Sequence, residues 1–182
     1  MRNDWPAMTE LVCDAAKKLQ QTGADCILIG ANTMHKIASE VQQAVTIPLI
    51  HVAEVTASAV QEQQLKKVAL LGTKFTMELG FYPDALRKYG IETIIPIEED
   101  RDYIHATIYN ELGKGIFTDE LRNRYKEIIN RLMQQGAQGV ILGCTEIPLL
   151  IKQQDSPIPV FDTALIHATA AVEFALEKEL QA

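Results

Sequence analysis

The stretch Gly139-Val140-Ile141-Leu142-Gly143-Cys144-Thr145-Glu146 decides how this chain folds. Val140 to Leu142 is a short run of aliphatic residues without polar alternation, as expected of a strand buried on both faces of a parallel sheet. It stops at a glycine, a cysteine, a threonine and a glutamate, and the apolar run from Ile147 to Ile151 follows. The pattern predicts strand, tight turn, then a helix or helical turn. Cys144 therefore stands at the carboxyl end of a strand, where open α/β sheets place their ligands. A following helix N-terminus is expected to favour its thiolate.

The same unit occurs earlier. Leu19-Gln20-Gln21-Thr22-Gly23-Ala24-Asp25-Cys26-Ile27-Leu28-Ile29-Gly30-Ala31-Asn32-Thr33 aligns without gaps on the stretch from Leu132 to Glu146. After a two-residue slip, Ile47-Pro48-Leu49-Ile50-His51 aligns on Ile158-Pro159-Val160-Phe161-Asp162. A repeated helix–strand–helix–strand unit implies two similar lobes whose strand ends face each other across a cleft. In this register Ala31 is the counterpart of Cys144, and Asn32 that of Thr145. Reuse of a favourable αβ unit without a shared site is the plainer alternative, but polar Asn-Thr and Cys-Thr-Glu turns exceed what a structural turn requires.

Working outward, Asp4 caps a helix over 6–21 with Pro6 in its first turn, and Met8, Leu11, Val12, Ala15, Ala16 and Leu19 share its inward face. Gly23 ends that helix. Strands are predicted at 26–29, 47–50, 68–71, 93–95, 140–142 and 160–161. Helices are predicted at 34–43, 52–64, 77–89, 101–112, 118–135 and 164–180. Alternation of apolar strands with helices implies α/β architecture with parallel sheets covered on both faces. The lobes are expected at 1–64 and 65–163, with 164–182 packing back on the first.

Composition narrows the chemistry. The chain has 182 residues, 47% of them hydrophobic and 6% aromatic, enough for an aliphatic core. A net charge of −7, with no Lys/Arg run longer than two, argues against nucleic acid. No apolar stretch reaches membrane-spanning length, and no charged-then-apolar leader is expected. Cys13, Cys26 and Cys144 lack metal or disulfide spacing, so they are read as reduced thiols of a cytoplasmic protein, with no metal and no nucleotide loop.

Four motifs in order resemble the aspartate/glutamate racemase family: Gly30-Ala31-Asn32-Thr33-Met34-His35, Leu70-Leu71-Gly72-Thr73 with Thr76-Met77, Gly143-Cys144-Thr145-Glu146-Ile147, and Phe161-Asp162-Thr163-Ala164 with His167-Ala168. The resemblance spans essentially the whole chain. It implies two pseudo-symmetric α/β lobes, no cofactor, and racemisation of aspartate, glutamate or a related amino acid by α-proton abstraction. Family members begin with a strand and glycine-rich turn, so the first lobe is expected to be incomplete at its N-terminus and self-association is expected. Many members carry a cysteine, and some a threonine, at the position of Ala31, which leaves the opposing acid/base position vacant here.

Inverting an α-carbon without a cofactor requires a base on one face and an acid on the other. Cys144 is the expected base. Asn32 and Thr145 are the expected clamp for the α-amino and carboxylate groups, Thr33 is a further hydroxyl donor, and Thr73 and Thr76 are carboxylate donors implied by the resemblance. Glu146 either fixes the ammonium or caps the following helix. Lys114 lies between two glycines and is either a carboxylate partner or a solvated loop lysine. His35 and His51 are candidate substitute acids, whereas His105 and His167 read as structural. Three outcomes stay open: a racemase, a one-cysteine enzyme whose site resembles that of arylmalonate decarboxylase, and a catalytically idle homologue.

Overall fold

The computed structural model describes residues 4–179. In chain order the elements are α1 (Trp5–Gln21), β1 (Ile27–Leu28), α2 (Ala38–Ala44), β2 (Leu49–Ile50), α3 (Val52–Glu62), β3 (Lys67–Gly72), α4 (Lys74–Glu78), α5 (Phe81–Lys88), β4 (Glu92–Ile94), α6 (Glu98–Asn110), α7 (Asp119–Gln134), β5 (Val140–Gly143), α8 (Ile147–Leu150), β6 (Val160–Asp162) and α9 (Thr163–Glu179). Leu180, the expected end of the last helix, lies outside the described residues.

Strands β1 and β2 pair with each other, and the other four form a sheet in the order β4-β3-β5-β6. All of these pairings are parallel, as the apolar runs predict. The sequence repeat is reproduced down to single hydrogen bonds. Ile27 pairs with Leu49 as Val140 pairs with Val160, and Leu28 with Ile50 as Ile141 with Phe161. The Ile27 N–H donates to the Pro48 carbonyl at 2.8 Å, and the Val140 N–H to the Pro159 carbonyl at the same distance. Both preceding helices end alike. Gly23 and Gly136 adopt φ of 92° and 95°, and the next residue's N–H returns to the carbonyl of Leu19 or Leu132.

The core is uneven. β3 and β5 sit at its centre, where Val68 to Leu71 and Val140 to Leu142 have no exposed surface. Helix α7 buries Leu121, Tyr125, Ile128, Ile129 and Leu132 against them. Helix α3 gives Val52, Ala53, Ala57 and Val60 to the same cluster and packs along α9. A smaller cluster of Ala16, Ile27, Ile29, Ile37, Val41 and Val45 surrounds β1.

Three sequence expectations need correction. On α1 the predicted inward face is largely open: Leu11 is 72% and Leu19 51% exposed, and Ala16 is the buried residue. An amphipathic stripe marks a face able to bury itself; here Ala16 and Val12 reach the smaller cluster, while Leu11 and Leu19 stay exposed among the described residues. The helix expected over 77–89 is two helices, α4 and α5. Gly80 between them takes a left-handed φ of 79°, and its carbonyl accepts the Asp84 N–H to start α5. The helix expected from Met34 begins as a 3-10 segment, Thr33–Ile37, before α2.

Candidate active site

The parallel order brings the two repeated turns to one place. A pocket of about 310 Å³ is lined by Ala31, Asn32 and Thr33 from the turn after β1, and by Gly143, Cys144, Thr145 and Glu146 from the turn after β5. Thr73, which follows β3, forms its back. Ile108, Tyr109 and Gly113 form a third wall at the end of α6. Sequence reasoning did not single out these last three. Its one cue there was the Gly113-Lys114-Gly115 break, which ends the helix without indicating what Tyr109 faces.

Close strand packing shapes the floor. Gly72 and Gly143 are paired across β3 and β5, and a Cβ on Gly72 would lie 2.9 Å from the Gly143 carbonyl oxygen. Only glycine fits such an approach. Thr73 then caps α4, its Oγ1 accepting the Thr76 N–H at 3.2 Å. The hydroxyls of Thr33, Thr73 and Thr76 form a closed ring, with separations of 3.0, 3.2 and 3.2 Å. Thr76 is fully buried behind Thr73 and does not line the pocket, so it holds the other two hydroxyls in place.

Asn32 is oriented by a chain of fixed donors. A carbonyl only accepts, so Thr163 Oγ1 donates its hydrogen to the Leu142 carbonyl at 2.8 Å. It must therefore accept from Asn32 Nδ2 at 3.0 Å. That leaves Asn32 Oδ1 as a buried acceptor with no hydrogen-bond partner among the described residues. A buried acceptor without a donor costs about 1–3 kcal/mol, which an incoming N–H group recovers.

Cys144 Sγ donates to Glu146 Oε2 at 2.8 Å. Burial and then this hydrogen bond push the thiol up to about 12, outweighing the backbone N–H groups of Thr145 and Glu146, which pull it down. The expected thiolate is thus corrected to a thiol at neutral pH. Helix α8 is one turn long and begins three residues on, so its dipole is too small to decide the matter. For Glu146 burial acts upward, but hydrogen bonds from the Cys144 thiol and the Thr145 hydroxyl leave its carboxyl below the usual range. Glu146 makes no side-chain cap to α8, so its contact is with the thiol.

His35 and His51 lie outside this lining and face a second pocket. Burial, then the neighbouring His51, holds His35 down to about 3, so its ring is neutral. His35 Nδ1 donates to the Ala31 carbonyl at 3.0 Å and supports the turn from behind. His167 Nε2 donates to the Ile50 carbonyl at 2.7 Å, a structural role. Among the described residues no group of three His, Cys, Asp or Glu side chains is placed to hold a metal ion.

Comparison with known proteins places these turns in context. The family model described as Asp/Glu/Hydantoin racemase matches residues 1–171. A broad-specificity amino-acid racemase of Bacillus subtilis, RacX, is 28% identical over 172 residues, covering 93% of this chain and 73% of that protein. The crystal structure of a candidate Asp/Glu racemase from Yersinia pestis superposes with a TM-score of 0.91 at 45% identity, covering 96% of this chain and 76% of that one. An aspartate racemase homologue from Pyrococcus horikoshii gives a TM-score of 0.85 at 35% identity, with the same shares covered.

Proposed function

The chain belongs to the Asp/Glu/hydantoin racemase family, and on that premise we propose that it works on the α-carbon of an amino acid of the aspartate and glutamate class or a related one, using Cys144 and no cofactor. The observation that carries this reading is the hydrogen-bonded Cys144–Glu146 pair facing the Ala31-Asn32-Thr33 turn across one pocket. The substrate ammonium meets Glu146 and the unsatisfied Asn32 Oδ1. Its α-carboxylate takes hydrogen bonds from the hydroxyls of Thr33 and Thr73, which turn their hydrogens out of the ring with Thr76, while the Thr145 hydroxyl stays on Glu146.

In the reaction the thiol loses its proton to solvent and the thiolate removes the α-proton, while Glu146 stays ionised against the substrate ammonium. The electron pair left on the α-carbon spreads into the carboxylate, where the threonine hydroxyls stabilise the added charge. Return of a proton to the same face gives isotope exchange with retention, and delivery to the other face gives inversion. Names of relatives that include amino-acid, aspartate and glutamate racemases support an amino acid as substrate. The exposed Leu11, Leu19, Leu165 and Leu176 support a homo-oligomer. Among the described residues no helix is long and apolar enough to cross a membrane; the reading of the cysteines as reduced thiols supports a cytoplasmic location.

Ala31 favours a second reading within the same site. It bears no ionisable group opposite Cys144, so chemistry confined to one face, as in a one-cysteine decarboxylase or isomerase, fits the pocket equally. The test is proton NMR of amino acids in deuterated buffer, read together with optical rotation. Loss of the α-proton signal is expected, and Cys144→Ser is expected to slow it by about a hundredfold or more. Exchange with falling rotation identifies the racemase, and exchange at constant rotation identifies the one-face enzyme. Absence of exchange, or exchange untouched by Cys144→Ser, sinks the proposal.

A further inference from the structure

The polar groups of the pocket are matched to an amino acid's head, and what remains is uncharged. Once Asn32 Oδ1 and Glu146 hold the ammonium and the threonine hydroxyls hold the α-carboxylate, the free wall is Ile108, Tyr109 and Gly113. Ile108 is buried and Tyr109 is about one-third exposed, with its ring edge-on to His105 at 5.0 Å. Among the described lining residues Glu146 carries the one charge, and it is negative. Among the described residues, three cations of neighbouring elements are engaged elsewhere or face solvent. Lys74 pairs with Asp102, Lys36 sits over the Trp5 ring at 4.4 Å, and Lys114 is exposed beyond Gly113.

We infer that this site accepts amino acids with uncharged side chains and disfavours those with a side-chain carboxylate. The inference rests on the amino-acid reading above and, within it, sets related amino acids with uncharged side chains ahead of aspartate and glutamate themselves. An α-amino acid head brings one charge of each sign and leaves the pocket balanced apart from Glu146. A second carboxylate would have to leave water for a wall of aliphatic and aromatic carbon, with the ionised Glu146 as its nearest charge. Removing an anion from water without a counter-charge is unfavourable, and a like charge nearby adds to the penalty. A side-chain amide has nearly the same shape and avoids both costs.

Isosteric pairs isolate the charge. With the full chain in deuterated buffer near neutral pH, proton NMR follows the α-proton of L-aspartate beside L-asparagine, and of L-glutamate beside L-glutamine, at equal concentration. The amides are expected to exchange at least about tenfold faster than the matching acids. Tyr109→Arg places a cation on the uncharged wall and is expected to shrink that ratio by about tenfold. Acids that exchange as fast as their amides or faster overturn the inference while leaving the proposed function standing. A ratio unchanged in Tyr109→Arg overturns the placement of the side chain against that wall. Exchange with none of the four overturns the function on which the inference rests.

Discussion

Cys144 and Glu146 set the pH behaviour of the site. A thiol raised to about 12, first by burial and then by the Glu146 carboxylate, is protonated at neutral pH. For a base that must be ionised, the reactive fraction in the free protein grows about tenfold per pH unit until that value is approached. On the proposed mechanism, kcat/KM for α-exchange therefore rises steadily from neutral into alkaline pH. In Glu146→Gln the carboxylate is gone, and the rise is expected at lower pH. A flat profile above pH 7 would show that the thiol is not the titrating base. At this scale the chain is readable up to a point. Cys144, Asn32, Thr33, Thr145 and Glu146 stand out because the repeat sets them at matching strand ends. Their protonation does not, because burial depends on residues far away in the chain.

At the scale of elements, the strand–turn units owe their shape to glycine pairs as much as to apolar runs. Gly143 mirrors Gly72: a Cβ there would lie 3.0 Å from the Leu71 carbonyl oxygen and 3.1 Å from Thr76 Cγ2. Gly143→Ala forces the β3 and β5 ends apart and is expected to destabilise the fold by about 1–3 kcal/mol, read from the midpoint of denaturant unfolding. An unchanged midpoint would mean that the strand ends yield freely. Element types are legible here because periods of 2 and 3.6 residues need only local sequence. Interruptions are less so. Gly80 divides α4 from α5 through a left-handed turn, which a glycine between two apolar stretches permits but does not dictate.

Across the whole molecule, a few buried hydrogen bonds tie the first turn to the larger sheet. Thr163, fully buried, accepts from Asn32 and donates to Leu142, joining residues 131 positions apart. Thr163→Val keeps the shape but strands one donor and one acceptor, at a cost of about 1–3 kcal/mol. It also frees the Asn32 amide to turn. The expected result is a lower Tm together with a raised KM for α-exchange. A lower Tm with KM unchanged would confine Thr163 to a structural role. The sequence by itself determined the α/β class, the parallel strands, the internal repeat and the pairing of Ala31 with Cys144, since all of these follow from local periodicity and self-alignment. Only the tertiary structure decided that the Cys144 thiol holds its proton, that Thr76 stands behind the site, and that Ile108 and Tyr109 form its third wall. Each of these depends on which distant surfaces exclude water from the site, and no local pattern in the chain encodes that.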